Sequence, residues 1–494
     1  MGLLRQLRTQ FIVLVMSLSA FLAHGAERTQ AAKDLARQHK EAVEHHLLYQ
    51  TLIKGAPENG MSLQLQMAQL HVPGVSVAAI HHGHIEWTEG YGVVRLKGPH
   101  VTTDTLFNAA SMSKPLTAMA VMRLVQDGRI DLNADVNSYL KSWKIPGNQY
   151  TKDRQVTVRE LLNHTSGIGM HNGEVDDPDK ALPTMLQMLN GERPSTAGPV
   201  RVEAVPGTRY AYANGGYLIL QLLVTEVTGK PFAKYMQEAI LRPLGMIHST
   251  FEAPLSPVSA ALAATGYWED GTTGISPAHF VKPNLGAGGL WTTAPDYARF
   301  VIELQKEYAG RSHLILKQTT VRMMMTPGLG PSDKVRWGLG LRVGGSSSNP
   351  FFEHGGSGVY QSDMVGYPSG DGIVVLTNGG GGGALCDEIV RSAARVYSWP
   401  DFHPAEHTVA RVSPSQYDNL IGTYDFITVT RDGDDLMAEI PLGTRKQKLY
   451  PESETRYFLR DAPTTILFDL NAEGKATGLE FITTIVQWHR DKAQ

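Results

Sequence analysis

The chain has almost no cysteine, no block of like charges and no long hydrophobic run, and each absence excludes a class of protein. Cys386 is the only cysteine among 494 residues, so no disulfide can form within the chain. The net charge is −3 and no basic cluster occurs, which gives nucleic-acid binding no electrostatic support. The longest apolar segment near the N-terminus, Phe11 to Ala23, is too short to span a bilayer as a helix.

The composition is that of a globular protein with a large core. Hydrophobic residues make up 42% of the chain and charged residues 19%. Because 494 residues exceed the size of one ordinary domain, we expect two or three domains. Without disulfides, these domains must be stabilised by their cores, which a chain of this length can supply.

The first 25 residues have the pattern of an export signal. Arg5 and Arg8 precede the apolar segment, and Ala23-His24-Gly25 is a small-x-small cleavage site. We therefore expect residues 1–25 to be a signal peptide and the mature protein to be secreted or periplasmic, with no stable membrane anchor. An uncleaved anchor is the alternative.

A Ser-x-x-Lys motif at residues 111–114 carries the first candidate chemistry. Two residues three positions apart share one face of a helix, so Lys114 would place its amine beside the Ser111 hydroxyl. An amine there can remove the proton that serine must lose before it attacks a carbonyl group. Pro115 is tolerated only near a helix start, and the run after it is apolar on nearly every side. The pattern predicts a buried helix that begins close to Ser111 and leaves the Ser111 N–H free to face an oxyanion.

Two later motifs could complete such a site. Tyr212 and Asn214 form a Tyr-x-Asn before a predicted helix; a lysine ammonium would lower the pKa of Tyr212 and let it accept the serine proton. Asn214 offers an amide that can donate and accept hydrogen bonds toward a substrate amide. The segment 352–357 precedes a predicted strand, where Gly356 would allow close backbone approach and the N–H of Ser357 would be a second oxyanion donor.

The order of predicted elements indicates an α+β domain followed by a small β domain. Strands come first, a mostly helical region from about 131 to 326 follows, and strands and a last helix return before Trp399. Residues 400–414 resemble a linker, and residues 415–494 alternate short strands and turns as in a small antiparallel barrel. The predicted strands, in chain order, are Val72–Ile80, Ile85–Gly92, Trp337–Val343, Val359–Tyr367 and Gly372–Asn378.

Neither a metal nor another cofactor is predicted. Three histidines at positions 81, 82 and 84 occupy a hairpin turn, but the sequence provides no further cluster to complete a ligand set. Cys386 lies in a helical pattern and is expected to be a small buried hydrophobe rather than a nucleophile.

Through these motifs the chain resembles the serine β-lactamase and penicillin-binding-protein superfamily, in the branch of class C β-lactamases, DD-peptidases and D-aminopeptidases. The resemblance runs from about residue 60 to 398 and depends on landmarks in family order. These are Ser111 to Lys114, Leu161 to Gly167, Pro206-Gly207, Tyr212 to Asn214, Pro243 to Met246, Gly288 to Leu290, His354 to Gly356 and Leu376 to Asn378.

The resemblance implies an antiparallel sheet flanked by helices, with an all-helical subdomain, over residues 26–399. It implies Ser111 as the acylated nucleophile, Lys114 and Tyr212 as the acid–base pair, and Asn214 and His354 as substrate contacts. The backbone N–H groups of Ser111 and Ser357 would form the oxyanion hole. Residues 415–494 look similar to the lipocalin-like domain that accompanies some of these hydrolases.

One position departs from the β-lactamases of this branch. They carry Lys-Thr-Gly where this chain has His354-Gly355-Gly356. A histidine is mostly neutral at neutral pH, whereas a lysine offers a permanent charge to the carboxylate of a β-lactam. We therefore expect a peptidase or esterase that cleaves a small-molecule or peptide substrate. The alternatives are a β-lactamase, a penicillin-binding sensor that is acylated without efficient turnover, and an inactive homologue with a structural role. The oligomeric state stays open.

Overall fold

The computed structural model describes residues 30–56, 60–169, 182–332, 335–440, 446–462, 464–482 and 487–492. The predicted signal peptide, residues 1–25, lies outside the described residues. In the described part of the chain, no helix combines the length and the hydropathy that crossing a bilayer requires.

The helices are α1 (30–45), α2 (Leu63–Gln69), α3 (Ser113–Gln126), α4 (Val158–Leu162), α5 (Met185–Asn190), α6 (Asn214–Thr228), α7 (Phe232–Met236), α8 (Pro257–Leu262), α9 (Leu285–Gly288), α10 (Ala294–Tyr308), α11 (Gln318–Met324), α12 (Gly382–Val396) and α13 (Pro414–Tyr417). The strands before the C-terminal region are β1 (Thr51–Ile53), β2 (Gly74–His81), β3 (His84–Gly92), β4 (Phe107–Asn108), β5 (Gly266–Tyr267), β6 (Gly274–Ile275), β7 (Trp291–Thr292), β8 (Arg336–Trp337), β9 (Arg342–Ser346), β10 (Asn349–Gly356), β11 (Gln361–Gly366), β12 (Gly372–Thr377) and β13 (Ala405–His407). The last eight strands are β14 (Gly422–Tyr424), β15 (Ile427–Asp432), β16 (Asp435–Glu439), β17 (Gln447–Pro451), β18 (Arg456–Phe458), β19 (Thr465–Leu470), β20 (Ala476–Ile482) and β21 (Gln487–Asp491).

A seven-stranded antiparallel sheet forms the centre of the first domain, in the order β3-β2-β12-β11-β10-β9-β8. Alternate residues of a strand point to opposite faces, and both faces of β2 and β12 are covered. Ala78 and Ile80 pack into the core shared with α3, α6 and α10, whereas Val77 and Ala79 pack against α2 and α12. This double coverage explains why the two strands are apolar throughout, and it confirms the predicted α+β arrangement with helices on an antiparallel sheet.

Helix α3 lies at the centre of the larger core, as its apolar sequence predicts. Eleven of its residues, from Ser113 to Leu124, are buried. A 3₁₀ turn, Ala110–Met112, leads into it, and the chain leaves it at Asp127 through Gly128, whose φ of +71° favours glycine. The position of the turn confirms that the helix begins close to Ser111.

One sequence expectation about local structure is wrong. The segment Trp337–Val343 is not one strand: Gly340 has a φ of +84°, and the Gly338 N–H donates to the Leu341 carbonyl, so the chain turns between β8 and β9. Residues 352–356 precede the strand β11, as expected, and themselves belong to β10. The N-terminal segment contains the strand β1 between its helices α1 and α2.

The C-terminal region forms a separate β unit. Strands β14 to β21 pair with their neighbours in sequence order, all antiparallel, and enclose their own hydrophobic core. This arrangement confirms the predicted barrel-like antiparallel domain. One of the turns on which that prediction depended, at residues 431–434, lies where β15 meets β16.

The segment 400–414, expected to be a linker without periodicity, contains the short strand β13. This strand pairs in parallel with β1, with Thr51 opposite Ala405. A second contact supports the attachment, because the guanidinium of Arg460 lies 4.0 Å from the ring centre of Tyr49. The C-terminal β unit is therefore attached to the N-terminal segment of the first domain.

Candidate active site

Ser111 occupies a strained turn at the start of α3. The residue before it, Ala110, has a φ of +45°, which is rare for a residue other than glycine. Two hydrogen bonds fix this conformation: the Ala110 N–H donates to Asn108 Oδ1 at 3.0 Å, and the Ser113 hydroxyl donates to the Ala110 carbonyl at 2.7 Å. Strain that the surroundings hold in place is typical of functional positions.

Lys114 lies directly behind Ser111. Its Nζ is 2.9 Å from Ser111 Oγ and donates to the Ala287 carbonyl at 2.8 Å. The side chain is completely buried, and this burial, reinforced by the charge of Lys282, holds the pKa of Lys114 well below its usual value. Lys114 is therefore positioned to act as an unprotonated amine that accepts the Ser111 proton.

Lys282 is a contributor to the site that the sequence reasoning missed. Its Nζ lies 5.0 Å from the centre of the Phe280 ring, and its side chain passes close to Gly288. Burial lowers the pKa of Lys282 to about 8. The motif Gly288 to Leu290 was recognisable in the sequence, but nothing marked a lysine six residues before it as a neighbour of Lys114.

Tyr212 also lies beside Lys114, but its acidity differs from the sequence expectation. The Tyr212 ring centre is 5.0 Å from Lys114 Nζ. Burial raises the pKa of Tyr212 to about 12, and its hydrogen bond with Ser111 opposes only part of this effect. The expected lowering of the Tyr212 pKa is wrong because the effect of burial exceeds the opposing effects of the Ser111 hydrogen bond and the charge of Arg342. Tyr212 therefore keeps its proton.

His164 supports the segment that carries Tyr212. Its Nδ1 accepts a hydrogen bond from the Ala213 N–H at 3.1 Å, and its ring lies 4.3 Å from the ring of Tyr212. Burial lowers the pKa of His164 well below its usual value, and a proton on Lys114 or His354 would lower it further. The sequence placed His164 in a family landmark but did not indicate this supporting contact.

The third motif brings strand β10 against the Ser111 turn. A Cβ on Gly356 would lie 2.5 Å from the Ala109 carbonyl and 2.4 Å from Ser362 Oγ, so only glycine fits there. The Ser362 hydroxyl donates to the same Ala109 carbonyl at 2.9 Å. The exposed Ser357 follows directly at the end of the strand.

These elements surround a cavity of about 600 Å³. Its wall includes Ser111, Tyr212, His354, Gly356 and Ser357, which the sequence predicted together. Lys114 is buried behind Ser111, and Asn214, the first residue of α6, is not part of the described wall. The remaining lining residues are Tyr210, Pro331, Ser332, Val335, Trp337, Arg342, Gly355, Gln361, Ser362, Asp363, Gly383, Cys386 and Asp387.

His354 is buried in this wall, with 2% of its surface exposed. Its Nδ1 lies 2.7 Å from the Gly355 carbonyl, so Nδ1 carries the proton and donates. Burial lowers the pKa of His354 well below its usual value; a proton on Lys114 would add to this effect, as does the charge of Arg342. This agrees with the sequence expectation of a mostly neutral histidine, and burial extends the neutral form of His354 to lower pH.

We expect the substrate preference of the enzyme to be independent of His354 ionisation. The ratio of kcat/KM for an anionic substrate to that for a neutral ester should stay within about twofold from about pH 6 to 7.5, because a histidine with a lowered pKa takes no proton there. Steady-state kinetics on wild type and His354→Gln test this. A ratio that falls with rising pH in wild type but not in His354→Gln would show that His354 titrates.

The histidine hairpin is a cluster separate from the cavity. Asp371, from another turn, joins His81 and His82, and their ligand atoms lie within 4.8 Å of one another. The sequence reasoning, which found no partner for these histidines, missed this carboxylate. Asp371 Oδ1 is already 2.8 Å from His81 Nδ1. Asp371 directly precedes the first residue of β12, whereas the cavity residue Gly383 follows the other end of that strand.

The fold and the Ser111–Lys114 pair define a class of protein, the serine hydrolases of the penicillin-binding type. The family model described as Beta-lactamase matches residues 62–395. The chain therefore belongs to the Beta-lactamase family, whose members are serine hydrolases.

Curated relatives and solved structures agree with this assignment. The chain is 29% identical over 247 residues to "Unguisins hydrolase ungD'" of Aspergillus campestris, a match that covers 48% of this chain and 44% of that protein. It thus spans less than half the length of the curated relatives it matches. A penicillin-binding protein homologue from Pyrococcus abyssi has a TM-score of 0.60 at 21% identity, covering 87% of this chain and 97% of that one. A D-amino acid amidase from Ochrobactrum anthropi has a TM-score of 0.55 at 22% identity, covering 73% of this chain and 99% of that one.

Proposed function

We propose that this protein is an exported serine hydrolase that cleaves an amide or ester bond through an acyl-enzyme on Ser111. The observation that carries the proposal is the 2.9 Å contact between Ser111 Oγ and the buried Nζ of Lys114. A buried amine with a lowered pKa is a general base at neutral pH. Export is supported by the sequence of residues 1–25 alone.

The proposed reaction moves one proton through three groups. Lys114 takes the proton of Ser111 as Ser111 Oγ forms a bond to the substrate carbonyl carbon. The N–H groups of Ser111 and Ser357 stabilise the negative charge on the carbonyl oxygen. Tyr212, which is protonated at neutral pH, gives its proton to the leaving group and then takes one back from Lys114. Water then attacks the carbonyl carbon of the acyl-enzyme, and the same groups take up its proton and return one to Ser111 Oγ. The bond between Ser111 Oγ and the acyl group breaks, which releases the acid product and restores free Ser111.

A D-amino-acid peptidase, carboxypeptidase-like or esterase activity fits the cavity better than β-lactam hydrolysis. His354 is neutral, and Arg342, the cationic side chain among the described lining residues, is paired with Glu353. A β-lactam carboxylate would therefore meet no unpaired charge on this part of the wall. The similarity of the fold to a D-amino acid amidase supports amide substrates of D-amino acids. A β-lactamase, or a sensor that stays acylated, is the second candidate.

The test is a panel of short-chain p-nitrophenyl esters, D-alanyl p-nitroanilides and nitrocefin, with intact-mass measurement after each. We expect turnover of esters or D-alanyl anilides at least about tenfold faster in kcat/KM than of nitrocefin, with the mass of the free enzyme restored after the reaction. Preferred turnover of nitrocefin would favour the β-lactamase. A persistent mass increase with any substrate would favour the sensor.

A further inference from the structure

Two hairpin turns meet where β2 ends and β12 begins, and both carry side chains that can bind a metal ion. The first turn, His82-Gly83, joins β2 to β3, and the second, residues 367–371, joins β11 to β12. The Gly83 N–H donates to the Gly370 carbonyl at 2.8 Å, which fixes the turns against each other. A Cβ on Gly370 would lie 2.8 Å from the Gly83 nitrogen, so the two backbones approach closely at this point.

The register of the sheet places Asp371 beside His81. Strand β12 pairs with β2 through Gly372 opposite Ile80, and one further step along both chains brings Asp371 opposite His81. Asp371 Oδ1 lies 2.8 Å from His81 Nδ1, and the His82 N–H donates to the same oxygen at 3.4 Å. The side chains of His81 and Asp371 are 20% and 23% exposed, so an ion can reach them from solvent.

His82 completes a set of three ligand residues. Its ring centre lies 3.8 Å from that of His81. One ligand atom from each of His81, His82 and Asp371 lies within 4.8 Å of the other two. A tetrahedral ion with bonds of about 2.0–2.2 Å holds its ligand atoms about 3.4 Å apart. Because His82 is exposed, rotation of its side chain can close the remaining distance.

The turn itself does not require a histidine at position 82. His82 has a φ of +52° and Gly83 a φ of +77°. Positive φ at both central residues defines a type I′ turn, in which Asn-Gly and Asp-Gly are the usual pairs. Burial does not explain this histidine either, because it is exposed. Metal binding gives His82 a role that neither turn geometry nor packing provides.

Neighbouring side chains hold the His81 ring in place. The rings of Tyr397 and His39 lie 5.1 Å and 5.9 Å from it, centre to centre. Glu86 fixes both neighbours, because it accepts from the Tyr397 hydroxyl and lies 3.1 Å from His39 Nδ1. A ligand that is already oriented by its neighbours binds an ion more tightly than a freely rotating one.

We propose that His81, His82 and Asp371 bind a divalent transition-metal ion, and that Zn²⁺ matches them best. Two imidazole nitrogens and a carboxylate oxygen are suitable Zn²⁺ ligands, and water can take the fourth position. The ion takes the place of the proton between His81 Nδ1 and Asp371 Oδ1, and that proton passes to solvent. The bound ion joins the β2–β3 hairpin to the β11–β12 hairpin. This inference does not rest on the proposed function, since none of the three residues takes part in the Ser111 reaction.

Isothermal titration calorimetry with ZnCl₂ tests the site on the full chain, prepared without an affinity tag and freed of metal with a chelator. We expect one Zn²⁺ per chain and no binding of Mg²⁺, which prefers oxygen ligands. His82→Asn should weaken Zn²⁺ binding at least about tenfold and still fold, because Asn-Gly suits the type I′ turn. Asp371→Asn removes a ligand charge at constant size and should weaken binding to a similar extent. His84→Asn is the matched control, since His84 is exposed in the same hairpin but is not one of the three ligands.

Thermal unfolding provides a second measurement. Zn²⁺ should raise the Tm of wild type and of His84→Asn but not that of His82→Asn, because an ion that binds the folded chain stabilises it. Weaker binding in His82→Asn and Asp371→Asn, with the control unchanged, would support the site whether or not Ser111 hydrolyses any substrate. Wild type that binds no Zn²⁺, or variants that keep the wild-type affinity, would overturn the inference. An equal loss of binding in His84→Asn would overturn the assignment of the three ligands.

Discussion

Ser111→Ala is expected to abolish hydrolysis and covalent labelling by fluorophosphonate or fluorescent penicillin probes. The loss in kcat should be about 10⁴-fold or more, because no acyl-enzyme can form without the hydroxyl that Lys114 activates. Hydrolysis of the best ester of the panel and in-gel fluorescence after probe treatment measure the two effects. The cavity and the oxyanion donors remain in this variant, so substrate binding should persist.

Ser332→Ala is a matched control for this prediction. Ser332 also lines the cavity, but its hydroxyl accepts a hydrogen bond from the Val335 N–H and has no lysine beside it in the described structure. Activity and labelling should stay within about threefold of wild type. Labelling that persists in Ser111→Ala would show that another residue is the nucleophile.

Lys114→Met is expected to lower kcat by about 10³-fold, since it removes the proposed general base while filling a similar volume. Lys114→Arg distinguishes a base from a mere positive charge, because a guanidinium does not lose its proton in proteins. Both variants should be equally slow. If Lys114→Arg restored activity, the charge of Lys114 rather than its basicity would matter.

The pH dependence of wild type gives a further check on Lys114. The unprotonated amine is the active form, so kcat/KM should fall as pH decreases through the lowered pKa of Lys114. At higher pH the rate should already be constant well below the usual value of about 10.4. A rate that still climbs between about pH 9 and 11 would mean that Lys114 has an ordinary pKa.

The sequence predicted the parts of the site that depend on local spacing. Ser111 and Lys114 are three residues apart where the 3₁₀ turn runs into α3, and that spacing brings Nζ to Oγ. Gly356 was identified because a close backbone approach requires glycine, and the structure has that approach against Ala109. The order of strands and helices was predicted from alternation and periodicity, which are also local signals.

What the sequence could not provide depends on burial and on contacts between distant segments. The direction of the Tyr212 pKa shift and the charge of His354 follow from how deeply each group is buried. Lys282 and Asp363 come from segments that the fold alone brings together. The strand predicted over Trp337–Val343 failed for a different reason: Gly340 adopts a positive φ, which a pattern of apolar alternation does not reveal.

The packing of the N-terminal segment against α12 also determines when the protein can finish folding. The core between the sheet and α12 contains residues from the first seventy positions and from the region around Trp399. One hydrogen bond in it, from the Leu48 N–H to Ser392 Oγ, joins positions 344 residues apart. A ribosome must therefore synthesise most of the chain before this face can close. Until then, the apolar side of the N-terminal helices stays uncovered, in the state in which chaperones recognise nascent chains.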